Sequence, residues 1–176
     1  MTSRVPDRSY NKVGRIAGTG LLLALAMILS YVETLIPFSF GIPGVKLGLA
    51  NLAVLLTLYL FGTANAFTVD LLRILLAGFL FGSMFGILYS LAGGVLSFAA
   101  MLLFRRIQPF GIGGVSMAGG VFHNIGQLIV AYFTVRSIGL FYYMPVLLCS
   151  GVLTGLLIGI IAKSVLPYMS RLGGEL

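Results

Sequence analysis

Long apolar runs, broken by brief glycine-, proline- or charge-bearing punctuation, dominate this chain. About 20 apolar residues cross a bilayer as a helix, and irregular backbone is not tolerated against lipid. The runs predict six helices: 16–37, closed by Pro37; 47–62, which follows "GIPGVK"; 64–82; 84–104; about 116–135; and about 142–165, closed near Pro167. Several connections are very short, so the helices are expected to pack as sequential antiparallel neighbours. The expected fold class is all-α, a polytopic membrane bundle. One transmembrane domain covers 16–166, between a basic tail at 1–15 and a second tail at 167–176.

The first apolar run begins behind Arg4, Arg8, Lys12 and Arg15, and "ALA" follows at 24–26. A cleavable signal has a longer apolar region before its cleavage site. The run also continues past that triplet to Ile36, so it reads as a first transmembrane helix.

Composition sharpens the picture. The chain has 176 residues, 59% hydrophobic and 9% charged, with a mean hydropathy of +1.10. Soluble domains carry roughly 25% charged residues. The net charge of +7 is not a nucleic-acid signal, because the basic residues flank apolar runs rather than forming a stripe interleaved with aromatics. With the N-terminus inside, Arg4, Arg8, Lys12, Arg15, Arg105, Arg106, Lys163 and Arg171 are cytoplasmic, against Lys46 and Arg136 outside. That bias follows the positive-inside rule. It places both termini in the cytoplasm of a cell whose plasma membrane holds the protein. Cys149 is the single cysteine, so an internal disulfide and CxxC chemistry are excluded.

Small residues mark packing faces. Gly86, Ser90 and Gly94 recur at every fourth position, as do Gly151, Gly155 and Gly159. Such spacing lets helix backbones approach closely, and contact within the bundle is expected for both. Gly20 and Ala24 are a shorter version on the first helix, free to serve a partner protein. "SLAGGV" at 90–95 is echoed by "SMAGGV" at 116–121, a match too brief to establish a repeat.

Ionisable residues inside a span are expensive and therefore functional candidates. Glu33, Asp70, Arg73 and His123 qualify, with Lys46 at the outer mouth. Asp70 and Arg73 share a helix face. They are either a mutually neutralising pair or an oriented guanidinium, whose planar fork suits carboxylate or phosphate. Lys46 either snorkels to water or binds a ligand beside Pro43, Gly44 and Gly48. Asn51, five residues on, needs a polar partner. In "VFHNIGQL", His123 and Gln127 lie one turn apart with Asn124 adjacent, as interhelical hydrogen-bonders or ligand contacts, and His123 is also a candidate proton-linked switch. Tyr89, with Tyr31, Tyr132, Tyr142 and Tyr143, fits an interfacial belt or a pocket wall. The expected substrate-binding set is Lys46, Asn51, Arg73, Tyr89, His123, Asn124 and Gln127.

Other chemistries lack their residues. The four acidic residues, Asp7, Glu33, Asp70 and Glu175, are far apart, so no aspartate-rich diphosphate–magnesium motif exists. GxxxxGK[ST] is absent, as are GxSxG and HExxH. A lone histidine without neighbouring ligands is no metal site. No catalytic residue, metal or cofactor is expected.

"PGVKLGLANLAVLLTLYLFG" (43–62), "LLRILLAG" (71–78), "SLAGGVLS" (90–97) and "SMAGGVFHNIGQL" (116–128) together resemble the Gx transporter family, also catalogued as heptaprenyl diphosphate synthase component I. The blocks keep the family's order, and the resemblance spans about 16–165. The chain is also similar to S components of energy-coupling factor (ECF) vitamin transporters. That likeness implies a six-helix protein capturing a small molecule from outside. The pocket would be gated by the loop between helices one and two, here 38–46. Helix one would pack through Gly20 and Ala24 on a transmembrane coupling subunit, with an ATPase subunit supplying energy. The synthase name implies instead an accessory, non-catalytic component of prenyl diphosphate and quinone synthesis, or of flavin-based extracellular electron transfer. Flavin, a quinone precursor and an isoprenoid phosphate remain open as substrates. In the transporter reading, Lys46 and Arg73 meet negative charge, and the neutral polar residues supply directional hydrogen bonds.

Overall fold

The computed structural model describes residues 12–35, 48–107 and 110–172. Six α-helices follow in order: α1 Lys12–Leu35, α2 Ala50–Leu60, α3 Thr63–Phe81, α4 Met84–Arg106, α5 Ile112–Val135 and α6 Met144–Leu172. A 3-10 turn, Ile138–Tyr143, leads into α6. No strand occurs among the described residues.

The breaks between helices have local causes. Gly62, between α2 and α3, has φ of +86°, a conformation glycine adopts without steric penalty. Ser83 caps α4 by accepting a hydrogen bond from the Gly86 amide at 3.1 Å, satisfying one of the open N–H groups of the first turn. Arg105 and Arg106 occupy the last turn of α4, where positive charge complements the helix dipole. With two residues between α2 and α3, and two between α3 and α4, these helices turn back on one another.

The bundle is apolar outside and partly polar inside. Leu21, Phe79, Leu80, Met84, Phe133 and Leu153 are exposed, whereas Asp70, Arg73, Ser97, Ser116, His123, Asn124 and Gln127 are buried. Water would favour the reverse. This distribution, with several long apolar helices, makes the chain a multi-pass membrane protein. Four segments among the described residues are long and apolar enough to cross a bilayer: Lys12–Leu35, Thr63–Phe81, Met84–Arg106 and Ile138–Arg171.

The two other expected spans differ from these in instructive ways. Helix α2 has 11 residues, about 16 Å at 1.5 Å per residue, roughly half the hydrocarbon thickness. Residues Ala53 to Leu58 are all buried, so α2 is apolar because it is the core. It packs against Leu22 and Ala26 of α1, Ala66 and Val69 of α3, and Ile158, Ala162 and Leu166 of α6. Helix α5 has 24 residues, but His123, Asn124 and Gln127 lower its hydropathy. The expected stop near Pro167 is corrected, because α6 continues through it to Leu172. Proline removes one backbone donor. Here it is exposed in the final turns, where the loss is small.

Glycine sets the tightest contacts. A Cβ on Gly151 would stand 2.8 Å from the Gly120 carbonyl oxygen, one on Gly155 2.6 Å from that of Ser116, and one on Gly159 2.7 Å from Gly113 Cα. The stripe on α6 therefore packs backbone to backbone on α5, as expected. The α4 stripe behaves differently. Gly94 abuts Asp70 and Ile74 of α3, while Gly86 and Ser90 line a cavity. It is Gly126 of α5 that meets the Ala92 carbonyl of α4. On α1, Gly20 and Ala24 are exposed, and nothing among the described residues lies within 4 Å of a Cβ on Gly20.

Candidate functional site

The polar residues gather at one end of the bundle. There the C-terminal halves of α1 and α3 meet the N-terminal halves of α2 and α4. Arg73 of α3 donates to Asp70 Oδ1 from Nε at 3.0 Å and from Nη2 at 2.7 Å. The same Nη2 donates to Asn51 Oδ1 of α2 at 3.1 Å. Asp70 is 4% exposed and Arg73 8%. A buried charge needs a partner and hydrogen bonds, and the triad supplies both. Asp70 and Arg73 are thus an ion pair, the first of the two readings, and Arg73 also lines a cavity. Nη1 takes part in none of these bonds.

That cavity has a volume of about 120 Å³. Ser30, Glu33 and Thr34 of α1, Asn51, Arg73, Phe81, Ser90 and His123 line it, together with Gly48, Gly78, Gly82 and Gly86. Its walls thus mix charged, hydroxyl, amide and aromatic groups. Gly48 is held by its amide, which donates to Glu33 Oε1 at 2.6 Å. Its φ of +69° turns the chain into α2. Glu33 is thereby anchored on the segment that precedes Asn51. Phe81 stacks at a tilt on Tyr31, with ring centroids 5.0 Å apart.

His123, from α5, forms the floor. It is 5% exposed and borders both this cavity and a smaller chamber of about 10 Å³. Its Nε2 lies 3.0 Å from Gln127 Nε2, one turn along α5. On the other side, a Cβ on Gly93 would fall 2.9 Å from His123 Cε1, so glycine makes room for the ring. Asn124 faces α6, donating to Leu147 O at 2.7 Å and Ser150 Oγ at 3.2 Å. Its amide ties two helices together, and the residue borders the chamber only.

Of the expected binding set, Asn51, Arg73 and His123 line the main cavity. Gln127 supports His123 from behind. Tyr89 is half-buried, with its ring 6.2 Å from that of Phe85, and belongs to the lining of neither cavity. Lys46, with the rest of the 38–46 loop, lies outside the described residues. Ser30, Thr34 and Ser90 line the cavity although the sequence reading did not select them. Hydroxyls in apolar helices commonly bond to their own backbone, as Thr34 does to Tyr31 O at 2.6 Å, so their type carries little signal. No group of three His, Cys, Asp or Glu side chains that could hold a metal occurs among the described residues.

Residues 22–165 match the family described as heptaprenyl diphosphate synthase component I. The chain belongs to this family. Among curated proteins, none matches its sequence. The fold of this chain is similar to a solved structure described as the S component of a bacterial ECF transporter. The TM-score is 0.58 at 17% identity, covering 92% of this chain and 95% of the other. At that identity the likeness concerns the fold. The expected resemblance to both groups is thus met, in sequence by one and in architecture by the other.

Proposed function

We propose that this family member is a substrate-binding membrane subunit of S-component type, which captures a small polar or anionic metabolite. One observation carries the reading: Arg73, its guanidinium fixed by Asp70 and Asn51, lines a cavity that carries several polar groups inside an otherwise apolar bundle. A fully apolar core is the simpler way to build a membrane bundle, and intramembrane charge marks a functional site. Arg73 Nη1 and Asn51 recognise an acceptor-rich group, and His123 adds a directional hydrogen bond. Lys46 is the second basic residue proposed to meet the ligand's negative charge. The similarity in fold to an ECF S component supports the same reading.

The positive-inside bias supports an outward-facing cavity, since its end of the bundle carries few basic residues. Uptake then draws energy from partner subunits. The open face of α1 at Gly20 and Ala24 is the contact surface proposed for them. Size narrows the substrate. A cavity of about 150 Å³ holds one benzene, so a cavity of about 120 Å³ suits a single small ring or a short polar molecule. A flavin or a long isoprenoid phosphate needs the bundle to open further.

The test is ligand binding by purified protein, with the copurifying molecule identified by native mass spectrometry. Arg73→Ala should weaken binding by at least about tenfold, the equivalent of one charge-assisted hydrogen bond. If Arg73→Ala and Lys46→Ala both leave affinity and uptake untouched, the site is wrong. The family description favours a second reading, a non-catalytic membrane component of prenyl diphosphate or quinone synthesis. That reading predicts stable copurification with a prenyl synthase and no dependence on an ATPase.

A further inference from the structure

Below the main cavity, the chamber of about 10 Å³ lies between α2, α4, α5 and α6. Ser97 of α4 lines it. This side chain is 1% exposed, and its Oγ has no hydrogen-bond partner among the described residues. A buried hydroxyl without a partner is destabilising, so Ser97 calls for something to bond. Asn51, Ser116, His123, Asn124 and Thr154 also line the chamber.

We propose that this chamber is a binding site for one resident water molecule. Volume, polarity and charge each point there. A cavity needs about 10–15 Å³ to hold a water, with two to four polar partners. The chamber meets the lower bound and no more, so a larger ligand does not fit. Space around the hydroxyl depends on glycine, because a Cβ on Gly119 would lie 3.2 Å from Ser97 Oγ. The surrounding groups are complementary to water. The Thr154 hydroxyl already donates to Ser150 O at 2.9 Å, and the Asn124 amide nitrogen is committed to α6. What these two offer the chamber is therefore acceptor oxygen. The Ser97 hydroxyl offers both a proton and lone pairs. Water can donate to the acceptors and accept from Ser97 at once.

A cation is disfavoured. No carboxylate among the described residues lines the chamber, and the Arg73 guanidinium is one hydrogen bond away through Asn51. The chamber shares Gly48, Asn51 and His123 with the main cavity. The water is thus part of the floor beneath the proposed ligand, and it bridges α4 to the α5–α6 pair. This site stands on Ser97 and its surroundings, so it does not depend on the proposed transport role.

The sign of one stability change tests it. With water in place, Ser97→Ala deletes a satisfied hydrogen bond, and the Tm of the purified full-length protein falls by about 2–4 °C. In a dry chamber the same change removes an unsatisfied hydroxyl, and Tm rises or holds. A rise or no change overturns the proposal. A crystallographic map fine enough to show ordered waters gives a second reading, which needs no variant. A peak within hydrogen-bond distance of Ser97 Oγ supports the site, and its absence there overturns it. A Tm that climbs with sodium chloride but not with choline chloride, and ceases to do so in Ser97→Ala, replaces the water with an ion and also overturns it. Because Ser97→Ala leaves Arg73 untouched, the outcome is separable from the Arg73→Ala binding test.

Discussion

Arg73 places two nitrogens on a single oxygen of Asp70, at 3.0 and 2.7 Å, from three residues along the same helix. Both side chains are buried. The pair lies within one helix and needs no other helix to close it. Asn51, 22 residues earlier, then adds its bond to the outer amine. A charge already neutralised can be carried into an apolar bundle, and a docked amide then fixes the direction of the guanidinium.

Removing one partner of that pair leaves the other buried without compensation. Asp70→Asn should therefore destabilise the protein by about 3–5 kcal/mol, read as a large drop in Tm of purified protein. Replacing both residues by apolar ones of similar size should recover most of that stability while ligand binding stays lost. A neutral Asp70→Asn single variant contradicts the buried-pair description.

Asn51→Ala separates positioning from charge. The Asp70–Arg73 pair survives, and the guanidinium loses its link to α2. A hydrogen bond to a charged group is worth about 1.5–3 kcal/mol, and part of that returns as new mobility. Ligand affinity should fall about 5–20-fold, with Tm changing far less than in Asp70→Asn. Titration of wild type and variant with the copurified ligand checks this. Equal affinities would show that Asn51 plays no part in orienting Arg73.

Much of the architecture was legible because lipid-facing and buried surfaces write different patterns. Runs such as 84–104 predict α4 to within two residues, since the same apolar stretch both spans and ends at basic residues. α2 was harder to bound, because a fully buried helix is apolar on every side and its ends lack charge. The pairing of Asp70 with Arg73 followed from a three-residue spacing. The bond from Arg73 to Asn51 did not, because it depends on how α2 sits against α3. Asn124, by sequence an interhelical hydrogen-bonder or a ligand contact, spends its amide nitrogen on α6. Adjacent residues on a helix point about 100° apart, and only packing says what each direction meets.

Asn124→Ala accordingly belongs to stability rather than to affinity. It deletes two hydrogen bonds to α6, at 2.7 and 3.2 Å, of which Leu147 O keeps one donor in Ser150 Oγ at 2.9 Å. Membrane hydrogen bonds average near 0.6 kcal/mol, so a loss of about 1–2 kcal/mol is expected. Affinity at the main cavity should stay within about twofold. A large affinity loss with unchanged Tm would return Asn124 to the ligand.

The glycines offer the sharpest contrast. Gly155→Ala drives a methyl to 2.6 Å from the Ser116 carbonyl oxygen and 2.7 Å from Met117 Cα. Both neighbours are backbone, so relief requires α5 and α6 to separate. Overpacking of this kind destabilises by about 1–3 kcal/mol, and the wider helix spacing also loosens the contacts of α2 with α6. Gly20→Ala adds the same methyl where nothing among the described residues lies within 4 Å. Alanine favours helix over glycine by about 1 kcal/mol, so Tm should hold or rise slightly. The two variants measured side by side in one detergent, by thermal unfolding, have opposite expected signs. Equal destabilisation by both would mean that α1 is packed at Gly20 and that its open face is misassigned. If Gly20→Ala is stable, the bulkier Gly20→Leu becomes the informative probe. It should leave ligand binding by the isolated protein intact and reduce copurification with a partner subunit.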